Sequence, residues 1–119
     1  MAKMEIKFIS LTQDEETKIC SWFGLARRAG KLAVGYRQVC LMIEQQKVKV
    51  LVIAGDAGAS IKREILRMAE VFAVPVFIVL DKNKLGHCIG RDSLAVVAML
   101  DEGMSIVCHN LLATADLRG

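Results

Sequence analysis

One proline, one tryptophan, one tyrosine and two histidines in 119 residues exclude several kinds of protein at the outset. A proline-poor chain that is 54% apolar and 24% charged, with a mean hydropathy of +0.40, is not an intrinsically disordered or low-complexity segment. Long hydrophobic runs are missing too. The most apolar stretch, Val71 to Leu80, is ten residues long and contains Pro75, whereas a membrane-spanning helix needs about 20. Lys3, Glu5 and Lys7 interrupt the first ten residues, so no secretory leader is expected. The four cysteines, Cys20, Cys40, Cys88 and Cys108, contain no C-x-x-C pair. A chain of this length buries an adequate core unaided, so the four read as buried, reduced thiols of a cytoplasmic protein.

Chemistry-bearing clusters are equally scarce. His87-Cys88 and Cys108-His109 are adjacent pairs, without the spacing of two to four residues that zinc sites use; core thiols beside surface histidines explain the same letters. No local signature joins a cysteine to a histidine as a nucleophile and its base. The acids sit mostly at helix starts, where capping accounts for them. Residues 50–60 combine a strand, a glycine-containing loop and a helix start. They match neither G-x-G-x-x-G nor G-x-x-x-x-G-K-S/T, and turn and cap chemistry account for Gly55, Gly58 and Ser60. The expectation is a protein without catalysis, cofactor or metal.

What is present is an uneven charge. Residues 27 to 49 hold Arg27, Arg28, Lys31, Arg37, Lys47 and Lys49 against the single acid Glu44, a net +5, while the other 96 residues sum to −2. A basic segment on a nearly neutral body points to a polyanion partner, and equally describes a solvated basic face.

Periodicity supplies the fold. Thr12 and Glu15 form a capping box for a first helix carrying Ile19, Trp22, Phe23, Ala26 and Ala29 and stopping at Gly30. Leu32–Val34 read as a short strand closed by Gly35, and residues 36–46 as a second helix with Val39, Met42 and Ile43 inward. Val48–Ala54 form a strand, Ser60 caps a third helix, and Val74–Leu80 form the next strand with Pro75 at its start. Asp81 caps a short helix running towards Ile89, and Leu94–Leu100 make the last strand. Asp101 and Glu102 open a final helix carrying Ile106, Val107, Leu111 and Leu112, with a frayed tail from Thr114. The longer strands are continuous apolar runs, which requires both sheet faces to be covered. The prediction is a single α/β domain over residues 1–119, with its core at about 12–112. Its architecture is a three-layer α/β/α sandwich on a four-stranded mixed sheet.

Glycines bracket the basic segment. Gly24, Gly30 and Gly35 flank Leu25–Ala29 and Lys31–Val34, and Gly35 directly precedes the second helix, from whose first turn Arg37 and Gln38 project. A glycine there admits close approach of another backbone, the helix start offers free N–H groups, and arginine and glutamine pair with base edges.

These residues resemble a known family. Phe23-Gly-Leu-Ala-Arg-Arg-Ala-Gly-Lys-Leu-Ala-Val-Gly35, Lys47-Val-Lys-Val-Leu-Val-Ile-Ala-Gly-Asp-Ala57, Val74-Pro-Val76 and Leu85-Gly-His-Cys-Ile-Gly90 are similar to the ribosomal protein L7Ae/L30e superfamily, and most to its bacterial YlxQ-like branch. The likeness runs from about residue 18 to 102. It implies non-catalytic binding of structured RNA, kink-turns in particular, with the start of the second helix entering the groove at tandem sheared G·A pairs. An apolar loop covers the extruded nucleotides. That use of a distorted duplex accords with the narrowness of a regular RNA major groove.

By position the resemblance places the helix motif Gly-x-Asn-Glu-x-x-Lys on Gly35, Tyr36, Arg37, Gln38, Val39, Cys40 and Leu41, and the loop on Cys88, Ile89, Gly90, Arg91 and Asp92. Arg37 and Gln38 are the expected base readers, Arg28, Lys31 and Lys47 the expected phosphate contacts, and Ile89 and Gly90 the shapers of the loop beside Arg91. Leu41 stands in the place of the motif's lysine, and Gln45-Gln46 in the place of an Arg-Gly. The implied partners are structured RNA and the ribosome, with no membrane, and nothing demands more than a monomer. The alternative is a protein-interaction module on the same fold, its RNA surface eroded at Leu41, Gln45 and Gln46.

Overall fold

A computed structural model describes residues 5–118. In chain order the elements are β1 (Ile6–Ile9), α1 (Gln13–Arg28), β2 (Leu32–Val34), α2 (Tyr36–Glu44), β3 (Val50–Ile53), α3 (Ala59–Phe72), β4 (Val76–Val79), α4 (Lys82–His87), β5 (Val96–Met99) and α5 (Glu102–Arg118). The strands form one mixed sheet in the order β1-β4-β3-β5-β2. β1 and β3 run parallel to β4, while β5 lies antiparallel between β3 and β2. No helix among the described residues is long and apolar enough to cross a membrane.

The sheet has five strands rather than the expected four. β1 escapes the sequence because Ile6-Lys-Phe-Ile9 alternates weakly and is half exposed. It exists because β4 presents an open parallel edge: Val76 N–H donates to the Glu5 carbonyl at 2.8 Å, and Lys7 reaches Asp116 of α5 at 3.3 Å. β3, β4 and β5 are buried throughout. Alternation along them divides the interior into two cores. Val50, Val52, Phe77, Val79, Val97 and Met99 face Phe23 of α1, Leu85 of α4 and Leu112 of α5. Leu51, Ile53, Val76, Ile78, Val96 and Ala98 face Val39 and Ile43 of α2 and Ile65, Met68 and Ala69 of α3. Period-two side-chain alternation in strands buried on both faces explains why these segments read as unbroken apolar runs.

The capping box at Thr12 and Glu15 is formed, with the Thr12 N–H donating to Glu15 at 2.8 Å and the Glu15 N–H to Thr12 Oγ1 at 3.2 Å. Other expectations need correction. α3 starts at Ala59 with Gly58 as N-cap, not Ser60, because the Lys62 N–H already bonds the Gly58 carbonyl. Pro75 precedes β4, its carbonyl accepting from Leu51 N–H. On α5 the inward face is Ser105, Cys108, Leu112 and Ala115, whereas Ile106 and Val107 are exposed. From Thr114 to Arg118 the chain is helical, held by burial of Ala115 and by the Lys7–Asp116 pair.

Of the four cysteines only Cys108 is buried, where desolvation pushes its thiol up to about 12. Cys40 is half-buried, and Cys20 of α1 and Cys88 at the end of α4 are joined as a disulfide. Sequence composition gave no signal for that pairing, since the partners stand 68 residues apart. His109 makes an edge contact with Phe77 at 5.3 Å between ring centroids, and Cys88 bonds Cys20, so the two Cys/His pairs have separate structural roles.

Ala73 ends α3 in the left-handed region, φ 56°, with its side chain exposed. A Cβ there is strained and packs against nothing that would be lost. Ala73→Gly should therefore stabilise the fold by about 1 kcal/mol and raise Tm by roughly 3–5 °C in a calorimetric scan.

Candidate nucleic-acid interface

The turn from β2 into α2 is built on Gly35. Its φ of 88° lies in the region L side chains avoid, and its N–H donates to the Val96 carbonyl at 3.0 Å. A Cβ at Gly35 would meet no atom within 4 Å, so conformation rather than space calls for glycine. No side chain caps the helix and no acid occupies its first turn, so the N–H groups there and the positive end of the helix dipole are uncompensated. Arg37 points outward, exposed, without an ion pair among the described residues. Tyr36 is partly exposed and leans towards Cys40, Glu64 and Arg67; desolvation, then Cys40, raises its hydroxyl pKa.

Gln38 has a role the sequence did not reveal. Its Oε1 accepts the Val34 N–H at 2.7 Å, closing the β2–α2 turn and leaving the amide NH₂ as the outward group. The glutamate that the family motif carries at this position could accept the same bond, so the exchange keeps the acceptor and changes what faces solvent.

The loop between α4 and β5 comes to the same end of the sheet, because it leads into Val96, the residue bonded to Gly35. Its turn is tight: the Ile89 and Arg91 N–H groups both donate to the Gly86 carbonyl, and the Gly90 N–H to His87. Gly90 has φ 77°. Gly86 is buried with its backbone against the loop; a Cβ there would lie 2.8 Å from the Ser93 nitrogen and 2.9 Å from the Arg91 carbonyl oxygen. Gly90 and Arg91 are exposed, while Ile89 is half-buried against the α1-side core. Arg27, part of the basic segment but not assigned to the site from sequence, donates from Nη1 to the Ile89 carbonyl at 2.9 Å and fastens the loop to α1. Its only sequence signal was its place in that segment.

The nominated cations do not all gather here. The Lys31 carbonyl accepts from Leu100 N–H, and Lys49 N–H donates to Met99, at the opposite end of β5 from Val96. Lys47, just ahead of Lys49, is exposed at that far end. Four residue steps along β2 separate Lys31 from Gly35, about 13 Å at roughly 3.3 Å per residue. Arg28 is exposed at the end of α1. Gly35, Tyr36, Arg37 and Gln38 thus stand at the Val96 end of β5, Lys31 and Lys47 lie towards the Met99 end, and Ile89, Gly90 and Arg91 are tied through Arg27 to the last turn of α1. Leu41, on the outer surface of α2, is half exposed, and Gln46 adopts φ 57°, the conformation the family's glycine at this place would favour.

A helix start with free N–H groups and an outward arginine and amide is a surface suited to a polyanion with readable edges. The comparisons with known proteins agree on the class. Residues 17–109 match the ribosomal protein L7Ae/L30e/S12e/Gadd45 family, and the chain belongs to it. RNA-binding protein YlxQ of Bacillus subtilis is 30% identical over 94 residues, covering 76% of this chain and 94% of that one. The large ribosomal subunit protein eL30 of Methanopyrus kandleri is 32% identical over 92 residues, covering 76% and 81%. A solved Bacillus halodurans protein of unknown function superimposes with a TM-score of 0.76 at 30% identity, covering 81% of this chain and 97% of that one. The Giardia lamblia 15.5kD RNA binding protein, at 14% identity and a TM-score of 0.73 over 90% and 92% of the two chains, shares the fold.

Gln38→Ala should leave the half-buried Val34 N–H without its acceptor and cost about 1 kcal/mol in a denaturant titration, while Gln38→Glu should restore stability by accepting the same bond.

Proposed function

We propose that the protein binds structured RNA without catalysis, taking a kink-turn or similarly bent duplex on the surface formed by the α2 N-terminus and the 89–91 loop. The observation that carries this reading is the Gly35–Val96 hydrogen bond. It brings the uncapped helix start bearing Arg37 and Gln38 to the end of β5 that the segment carrying Ile89, Gly90 and Arg91 leads into. A groove opened by sheared G·A pairs admits a helix end that a regular A-form groove excludes. Arg37 takes base edges, and the Gln38 NH₂ donates to them while its oxygen stays committed to Val34. Gly35 and Tyr36 allow the close approach, and Ile89 and Gly90 cover unstacked nucleotides beside Arg91. Arg28, Lys31 and Lys47 contact phosphates on RNA that extends past the helix end. The protein acts in the cytoplasm as a single-domain monomer over residues 1–119, associated with the ribosome. The names of its relatives, RNA-binding protein YlxQ and ribosomal protein eL30, support RNA as the partner.

A second reading, a protein-docking module, draws on the exposed Leu41 on α2. Binding to neither RNA in the comparison below, with a stable protein complex in nuclease-treated lysate, would favour it.

The test compares a kink-turn RNA with the same RNA carrying Watson–Crick pairs in place of its G·A pairs, at two salt concentrations. The expected result is binding that disappears with the G·A pairs. Arg37→Ala should lower affinity for the G·A form by about five- to a hundred-fold, the equivalent of losing 1–3 kcal/mol. Lys31→Ala should weaken all RNAs alike and reduce the salt dependence. Equal, salt-sensitive binding to both RNAs would leave only a generic basic surface.

A further inference from the structure

Cys88 immediately precedes the 89–91 loop, and its partner Cys20 lies on α1, with Cα atoms 4.6 Å apart. Both are half-buried rather than enclosed. The cleft beside them is also lined by His87 and by Arg28, whose guanidinium favours the thiolate needed for exchange. The fold has other means of holding this region. The loop turn is closed by backbone bonds to Gly86 and His87, and Phe23 and Leu85 complete the core beneath it. Apart from the disulfide, the Arg27–Ile89 hydrogen bond ties the loop itself to α1.

We propose that Cys20 and Cys88 are a reversible redox site that sets how firmly the RNA-facing loop is fastened to α1. In a reducing cytoplasm the two thiols are free. A hydroperoxide oxidises them in a two-electron step. One thiolate attacks the peroxide, cleaving its O–O bond, to give a sulfenic acid and, after protonation of the leaving oxygen, water or an alcohol. The second thiol then displaces hydroxide from sulfur, which leaves as water, and the S–S bond forms. A dithiol reverses the reaction by exchange, becoming a disulfide itself. Oxidation pins residue 88 and pre-orders Ile89, Gly90 and Arg91, so less ordering remains when RNA binds. The coupling to RNA rests on the function proposed above; the loop effect does not.

The test uses the full chain with its four cysteines, oxidised by hydrogen peroxide or reduced by dithiothreitol, with peptide mass spectrometry to verify a Cys20–Cys88 cross-link and its loss. The oxidised form should bind the kink-turn RNA about three- to ten-fold more tightly. Hydrogen exchange at the amides of residues 89–91 should be slower in that form. Cys20→Ser should abolish both differences, and Cys40→Ser should leave them intact. If neither form binds RNA, the proposed function fails, while exchange rates that still differ uphold the redox site. Absence of the cross-link, equal loop exchange in both forms, or a redox effect that survives Cys20→Ser would overturn it. Altered loop exchange with equal RNA affinity would overturn the coupling.

Discussion

Everything at the proposed interface depends on β5 running antiparallel between β2 and β3. A strand inserted in that sense begins where β2 ends. The segment that feeds β5 and the helix that leaves β2 therefore adjoin the same end of the sheet, where the Gly35 N–H donates to the Val96 carbonyl. Reversing β5 would carry the 89–91 loop to the Met99 end, beside Lys31 and Lys49, and leave the α2 N-terminus alone. The two cores on either side of the sheet keep this geometry fixed. Val96 and Val97, one on each face, are both fully enclosed, so β5 cannot slip by one residue without turning its buried faces over.

The same constraint separates the charges. Arg37 stands at the start of α2, while Lys31 lies a strand length away at the far end of β2 and Lys47 lies towards the same Met99 end. A compact ligand would meet one group or the other; only an extended polyanion can use both. Local ties hold the backbone around the proposed interface. Gln38 holds Val34, Arg27 holds Ile89, and Gly86 admits the backbone of Arg91 and Ser93. Such ties would hold the proposed surface in shape before RNA arrives.

Much of this was legible in the sequence, for reasons that differ by element. The buried strands announced themselves as apolar runs and α1 by its capping box, because local chemistry decides both. β1 was not legible: Ile6–Ile9 is stabilised by the edge of β4 and by Asp116, partners about 70 and over 100 residues away. The orientation of α5 was missed for a related reason. Apolar residues lie on all its sides, so periodicity could not say that Ser105 and Cys108 face inward and Ile106 outward. Gly35, Arg37 and Gln38 could be nominated from their spacing, but the Gln38–Val34 bond, the Arg27–Ile89 brace and the Cys20–Cys88 pairing arise only from tertiary contact.

The central claim is that the start of α2 and the 89–91 loop form one RNA-binding surface. Backbone amide resonances followed by NMR during titration with kink-turn RNA test it most directly. The account predicts that the amides of residues 35–38 and 89–91 shift together and saturate at one equivalent, while those of β1 stay in place. Shifts confined to the Lys31 and Lys47 end, or to the outer face of α2 around Leu41, with residues 89–91 unmoved, would contradict it.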